Sequence, residues 1–413
     1  MENMRIFLDQ KDFSSIARGL VGEKGFESYP RHFEFLKNLV ESQKITIYFA
    51  WSHIVESLRY HDLTGNLWNI HSEVVDTLTK GNCIRFPTDL EKREVELFLS
   101  EQFGISTRYS RTDYAFGKFK DAVSIASVQT APFKRYLEEA LKKNIAKVGS
   151  TRNDRRLLLK RISKRNGLAE AFKNMSEEEF NDLKKGTDGS TYPKEFIEDL
   201  STFLGRDAFL NFLFGTPAQR AKVINEVFDH IFEFKKLITT YSQAFPELKK
   251  IGQFPNETFQ KLNPLIQSSQ ILHDVFSRPV VDPNRVKADL VNRFIKSLRP
   301  SINKFGKKYG FARKEAEQIL YEADFMPIPS ICCAILFCVE YIKRHIGSTK
   351  RGRRPRGSDI MDLHNLRNIP YVDLYVTDAF FADLGKKIAA KVFGTRIVRN
   401  LGQLEDFLKN NLK

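Results

Sequence analysis

The sequence predicts an α/β fold, a mostly parallel sheet flanked by helices and interrupted by a large all-α insertion. Three observations predict it. Short β-branched and aromatic runs alternate with helical patterns over roughly the first 106 residues. The alternation disappears between about Ser106 and His345, where only helical spacing remains, and it returns after residue 346. Residues 1–106 and 346–413 are therefore expected to form the two halves of one α/β domain, with 107–345 as a helical insertion.

In chain order, Met4 to Leu8 is an apolar run closing on Asp9, and helical patterns follow around Asp12 to Leu20 and His32 to Ser42. Lys44 to Ala50 reads as the second strand, Trp51 to Tyr60 as a helix, and His71 to Lys80 as another, ended by Gly81 as a C-terminal cap. Asn82 to Phe86 is a short third strand. Thr88 and Glu91 have capping-box spacing ahead of a helix over Glu91 to Phe103, which stops at Gly104. In the insertion, Leu137 to Val148, Arg155 to Lys164, Ser176 to Leu183, Lys194 to Leu204, Gln219 to Tyr241, Pro283 to Leu298 and Arg313 to Ala323 show apolar residues at helical spacing. Phe228, Phe232 and Phe234, with Val227, Ile231 and Leu237, make a broad apolar face suited to a bundle core. After residue 346 come a short helix around Asp362, a turn at Pro370, a strand ending at Asp378, a helix near Phe380 to Val392, a last strand at Arg396 to Val398 and a closing helix at Gln403 to Leu412.

Composition narrows the class. Hydrophobic residues make up 42% of the 413, enough for a large core, and no run approaches the roughly 20 apolar residues of a spanning helix. Met1-Glu2-Asn3 is unlike the start of a signal peptide, so the expectation is a cytoplasmic protein without a membrane partner. Cys83, Cys332, Cys333 and Cys338 form no zinc spacing, and three of them lie in the apolar run Ile331 to Val339, where free Cys packs as a small hydrophobe. Of the net charge of +15, +14 resides in Lys147 to Arg165 and Lys343 to Arg356. Charge localised this way favours a polyanion such as nucleic acid, with Lys350, Arg351, Arg353, Arg354 and Arg356 as phosphate contacts in a Gly, Pro and Arg loop.

The acids carry the chemistry. In a parallel α/β sheet, ligands collect outside the carboxyl ends of the strands, where Asp9, Glu56, Asp362 and Asp378 would converge. Converging carboxylates repel unless a cation or a proton intervenes. An all-oxygen ligand set without Cys or a close His pair fits Mg2+ or Mn2+. Asp373 is a further metal-assisting acid or a turn cap. Asp359, three residues before Asp362, is an outer ligand or an N-terminal helix charge, His364 contacts a phosphate or water or packs in the core, and Ser52 and Thr377 have hydroxyls able to orient Glu56 and Asp378.

These residues resemble the PIN-like nuclease family. Asp9 matches the acid ending the first strand, Glu56 the glutamate on the helix after the second, and Asp362 the acid on the helix before the fourth. Asp378 matches the acid closing Tyr375-Val376-Thr377-Asp378, and the phrase from Asp362 through Pro370-Tyr371 to Asp373 and Asp378 is the more specific part. The resemblance covers roughly residues 1 to 106 and 346 to 413. It implies a metal-dependent endoribonuclease that hydrolyses phosphodiesters with an activated water, usually on single-stranded or structured RNA. A role as a toxin or defence effector belongs to the same expectation, as does a protein inhibitor or self-association through the insertion. The competing readings are a non-catalytic nucleic-acid-binding or scaffolding protein and a structure-specific DNA nuclease.

Overall fold

The computed structural model describes residues 3–58, 66–106, 114–123, 219, 222–223, 226–227, 229–244, 283–323, 325–346 and 359–412. Strand β1 (Met4–Phe7) leads into α1 (Gln10–Leu20) and α2 (Tyr29–Glu41), then β2 (Ile45–Tyr48), α3 (Trp51–Ser57) and α4 (Asn66–Thr79). Next come β3 (Cys83–Ile84), α5 (Pro87–Gln102) and β4 (Phe116–Gly117). Helix α6 is Phe234–Ala244, α7 Pro283–Tyr309, α8 Arg313–Glu322 and α9 Pro329–Ile346. The chain closes with α10 (Asp359–Asn365), a 3-10 segment (Leu366–Tyr371), β5 (Leu374–Val376), α11 (Ala379–Ile388), a π turn (Ala389–Phe393), β6 (Arg396–Val398) and α12 (Leu401–Asn411).

Four strands form a parallel sheet in the order β2-β1-β5-β6. Four of the five expected strands thus form the sheet, and β3 reaches it only through a single parallel bridge from Phe49, beyond β2, to Cys83. β3 also pairs antiparallel with β4, a strand inside the stretch where the sequence offers no strand pattern. The central strand β5 is buried at all three residues, as a parallel strand covered on both faces must be; β2 alternates buried and half-buried. Helix α4 ends as the sequence predicts, at Gly81 in the left-handed region with φ +73°.

The chain divides into two compact units, residues 1–124 with 233–238 and 247–413, and residues 125–232 with 239–246. This corrects the boundary at 345: α7, α8 and α9 belong with the sheet. Their apolar faces join one core with it, where Phe294, Phe337, Cys333 and Tyr341 share a cluster with Phe7 and Tyr375. Cys332, Cys333 and Cys338 are buried thiols outside any disulfide, as their apolar run predicts. The single helix expected over Gln219 to Tyr241 is interrupted, since residues 231–233 are non-helical and α6 begins at Phe234. The patterns from Leu137 to Leu204 lie outside the described residues. Among the described residues no helix is long and apolar enough to cross a membrane.

The capping box at Thr88 and Glu91 does not form. Pro87 opens α5 at once, its fixed φ suiting the first helical position, and Phe86 is the cap. Glu91 instead makes a buried ion pair with Arg367 of the 3-10 segment. One turn further along α5, Glu94 is 2% exposed and accepts hydrogen bonds from the Ser330 backbone N–H and hydroxyl, the Tyr371 hydroxyl and the Tyr114 hydroxyl. Burial raises its pKa to about 7, and those donors only partly oppose the shift.

Because folding strengthens proton binding here, the stabilisation is complete below the ordinary value of 4.5 and is lost as pH rises through about 7. Glu94→Gln should therefore lower the loss of unfolding free energy between pH 4.5 and pH 8 by about 3 kcal/mol, read from urea denaturation. An unchanged pH dependence would show that the Glu94 carboxyl is not its source.

Candidate acidic site at the strand ends

The sheet brings the two termini of the polypeptide together. β1 pairs with β5 in the register Ile6 to Leu374 and Phe7 to Tyr375. Continued two residues past Phe7, this register sets Asp9 beside Thr377, and the Thr377 hydroxyl lies 3.5 Å from Asp9 Oδ2, a long contact across 368 residues of chain. Asp378 follows directly. The order β2-β1-β5-β6 makes the gap between β1 and β5 the point where the chain changes direction across the sheet, the usual place for a ligand crevice outside the carboxyl ends.

The same local device builds both positions. A strand ends, one aspartate stays extended (φ −71°, ψ 153° at Asp9; φ −69°, ψ 167° at Asp378), and a helix starts. Asp378 uses Oδ1 to accept the Phe381 backbone N–H at 2.9 Å, ordinary N-capping. Asp9 stands at the same helix position but makes no side-chain cap. Its carboxyl is 7% exposed, and its pKa is raised first by burial; Lys11 opposes the shift, and the nearby charge of Asp378 adds to it.

Tyr375 reports the other two acids. Its ring stacks on Phe7, with centroids 4.9 Å apart and planes at 5°, and its side chain is wholly enclosed. Burial pushes the phenol pKa far up, and the charges of Asp9, Asp362 and Glu56 push it further, with Cys333 contributing. Three carboxylates from the β1–α1 junction, α10 and α3 thus act on one hydroxyl. Both Glu56 and Asp362 are half-buried, and α10 packs against α3 through His364 and Trp51, whose rings lie 5.3 Å apart.

Other expected members are placed differently. Asp373 lies at the amino end of β5. It bonds the Arg5 backbone N–H at 2.7 Å and the Arg5 guanidinium at 3.2 Å, on the edge of the sheet opposite Asp9 and Asp378. It pairs strands there and is not part of the acid group. The Thr377 hydroxyl reaches Asp9 instead of Asp378, and the Ser52 hydroxyl is buried without a hydrogen bond among the described residues, so it does not orient Glu56. His364 is 4% exposed, and burial, with Arg367 nearby, lowers its pKa to about 3; it packs as a neutral ring and carries no charge to a phosphate. Asp359 opens α10, and its side chain lies outside the described ones. Lys350, Arg351, Arg353, Arg354 and Arg356 also lie outside the described residues.

Sequence reasoning missed Asp12, in the first turn of α1. It is 3% exposed, its Oδ2 is buried without a hydrogen bond, and burial raises its pKa to about 7, with Lys11 opposing and Asp9 adding. The signal was available as an acid three residues after Asp9, but that pattern is shared by any helix with acids near its start. All the donors here are oxygens, which suits a hard divalent cation. Among the described residues, no three His, Cys, Asp or Glu side chains stand close enough around one point to hold a metal ion as placed.

No protein-family model matches the chain, and comparisons with curated proteins and with solved structures find no match.

Desolvated acids that repel one another cost stability once ionised. Asp12→Asn, of nearly equal size, should raise the melting temperature at pH 8, where the wild-type carboxyl is charged, by about 2 to 8 °C and leave it near wild type at pH 4.5. A fall at pH 8 read by calorimetry would mean that the ionised carboxylate contributes contacts that keep the fold together.

Proposed function

We propose that this chain is a metal-dependent phosphodiester hydrolase, an endoribonuclease with a PIN-like α/β domain. The observation that carries the reading is the register of β1 on β5, which sets Asp9 beside Thr377 and next to Asp378 at the carboxyl ends of two neighbouring strands. The field of Asp9, Asp362 and Glu56 on Tyr375 supports the same grouping. Asp9, Glu56, Asp362 and Asp378 are the residues that would hold Mg2+ or Mn2+, with side-chain rotation drawing them onto the ion. The ion supplies acidification of water and charge neutralisation at the phosphate.

The chain's own residues do the remainder. Asp9, desolvated and lacking a capping bond, is the carboxylate with most to gain from a cation. Asp378 is held by the α11 amide at Phe381 and presents its remaining oxygen from a fixed backbone. Tyr375 stays protonated beneath them and closes the floor against water. Asp373, whose carboxylate is engaged by Arg5, has no part in the chemistry. The basic stretch of sequence from Lys350 to Arg356 is assigned to the phosphates of the substrate.

Purified protein with Mn2+ should cleave labelled single-stranded RNA, lose the activity in chelator, and cleave single-stranded DNA and flapped duplex much more slowly. Asp378→Ala should lower the cleavage rate by at least about 100-fold while the protein stays folded. A cleavage rate for Asp378→Ala equal to wild type would overturn the assignment. Preferential cutting of flapped duplex would move the substrate to DNA, and binding of RNA without any cleavage would leave a nucleic-acid-binding protein.

A further inference from the structure

The acids at the β1–α1 junction and on α3 are flanked by hydrogen bonds between buried, neutral groups. On the near side of Asp9, His53 lies 2.8 Å through Nε2 from the carbonyl of Leu8. The Ala50 backbone N–H donates to His53 Nδ1 at 2.9 Å, so Nδ1 is the acceptor and the ring proton sits on Nε2, where it meets Leu8. On the far side of Asp9, Gln10 Nε2 donates to the Ser57 hydroxyl at 2.9 Å and lies 3.1 Å from His71 Nε2 on α4. Leu8 and Gln10 bracket Asp9; His53, one helical turn before, and Ser57, directly after, bracket Glu56. The four polar side chains are each at most 4% exposed.

We propose that His53, Gln10 and Ser57 are positioning residues that fix the spacing of the backbone at Asp9 and Glu56, so that only side-chain rotation is needed to bring the two carboxylates onto a divalent cation. The proposal rests on the cation-binding reading given above. Its physical basis is that these bonds are enclosed and connect the backbone at one acid to the helix carrying the other. His53 suits this role because its bonds to the Ala50 N–H and the Leu8 carbonyl fix its tautomer, and burial, lowering its pKa to about 4, keeps the ring neutral. Phe7 and Phe13, with centroids 4.9 and 5.4 Å from the ring, hold its orientation. Gln10 and Ser57 are neutral and hydrogen-bonded to each other, so their loss leaves the charge of the site unchanged. Groups that orient metal ligands from behind commonly change metal affinity by roughly 10- to 100-fold when removed.

The test compares wild type with Ser57→Ala, Gln10→Leu and the double variant, in the full chain, by titration calorimetry with Mn2+ and by melting temperature. Ser57→Ala and Gln10→Leu should each weaken Mn2+ binding about 10-fold or more, and the double variant should be little worse than Gln10→Leu alone, because both break the Gln10–Ser57 bond and Gln10→Leu removes the His71 contact as well. Ser57→Thr, which keeps the hydroxyl, should bind Mn2+ near the wild-type level. Melting temperatures within a few degrees of wild type would separate positioning from loss of fold. Equal Mn2+ affinity in wild type and both single variants would overturn the clamp while leaving the cation site standing. Absence of Mn2+ binding by wild type would overturn the cation reading, and the clamp with it.

Discussion

The register of β1 on β5 is the constraint on which everything else depends. It joins residues 368 positions apart, and closing so long a flexible loop costs on the order of 5 kcal/mol. Ile6, Phe7, Leu374 and Tyr375 are buried at the seam, and at about 2 kcal/mol for each enclosed side chain their burial exceeds that cost. The exposed Arg5–Asp373 ion pair adds little energy but selects the alignment at the amino ends. A slip of one residue would turn Tyr375 to the other face of the sheet and move Thr377 away from Asp9.

From that alignment follows the electrostatic character of the site. Two aspartates at neighbouring strand ends each start a helix. Asp378 meets the demands of its helix with a capping bond, whereas Asp9 is buried without one, and Asp12 beside it has an oxygen without a donor. The stability lost by keeping such acids desolvated resembles the strain expected of a ligand-binding centre more than that of a structural ion pair. Glu94 shows the contrast: it is equally buried, but four hydrogen bonds satisfy its carboxyl, and it joins α5 to α9 as part of the core.

Much of the sheet was legible in the sequence because strand runs such as MRIF and ITIY are short, β-branched or aromatic, and each is followed by a helical pattern. The placement of Asp9 and Asp378 could be read from strand ends alone. The role of Asp373 could not: a strand pattern gives alternation of faces, but which end meets a partner depends on Arg5, far away in the chain. The extent of the insertion was obscured for a related reason. Helical periodicity shows that α7 and α9 have apolar faces, not whether those faces pack on each other or on a sheet. β4 was too short to leave a pattern, and the interruption before α6 fell within a run of aromatic residues that looks helical throughout.

Crystals grown in Mn2+ and measured at the manganese absorption edge would test the central claim most directly, since the anomalous signal locates the ion without reference to activity. The account predicts a peak between the carboxylates of Asp9 and Asp378, with Glu56 and Asp362 turned toward it and none beside Asp373. A fully ordered β1–β5 seam with no peak at Asp9, or a peak at the Arg5–Asp373 end of the sheet, would contradict it.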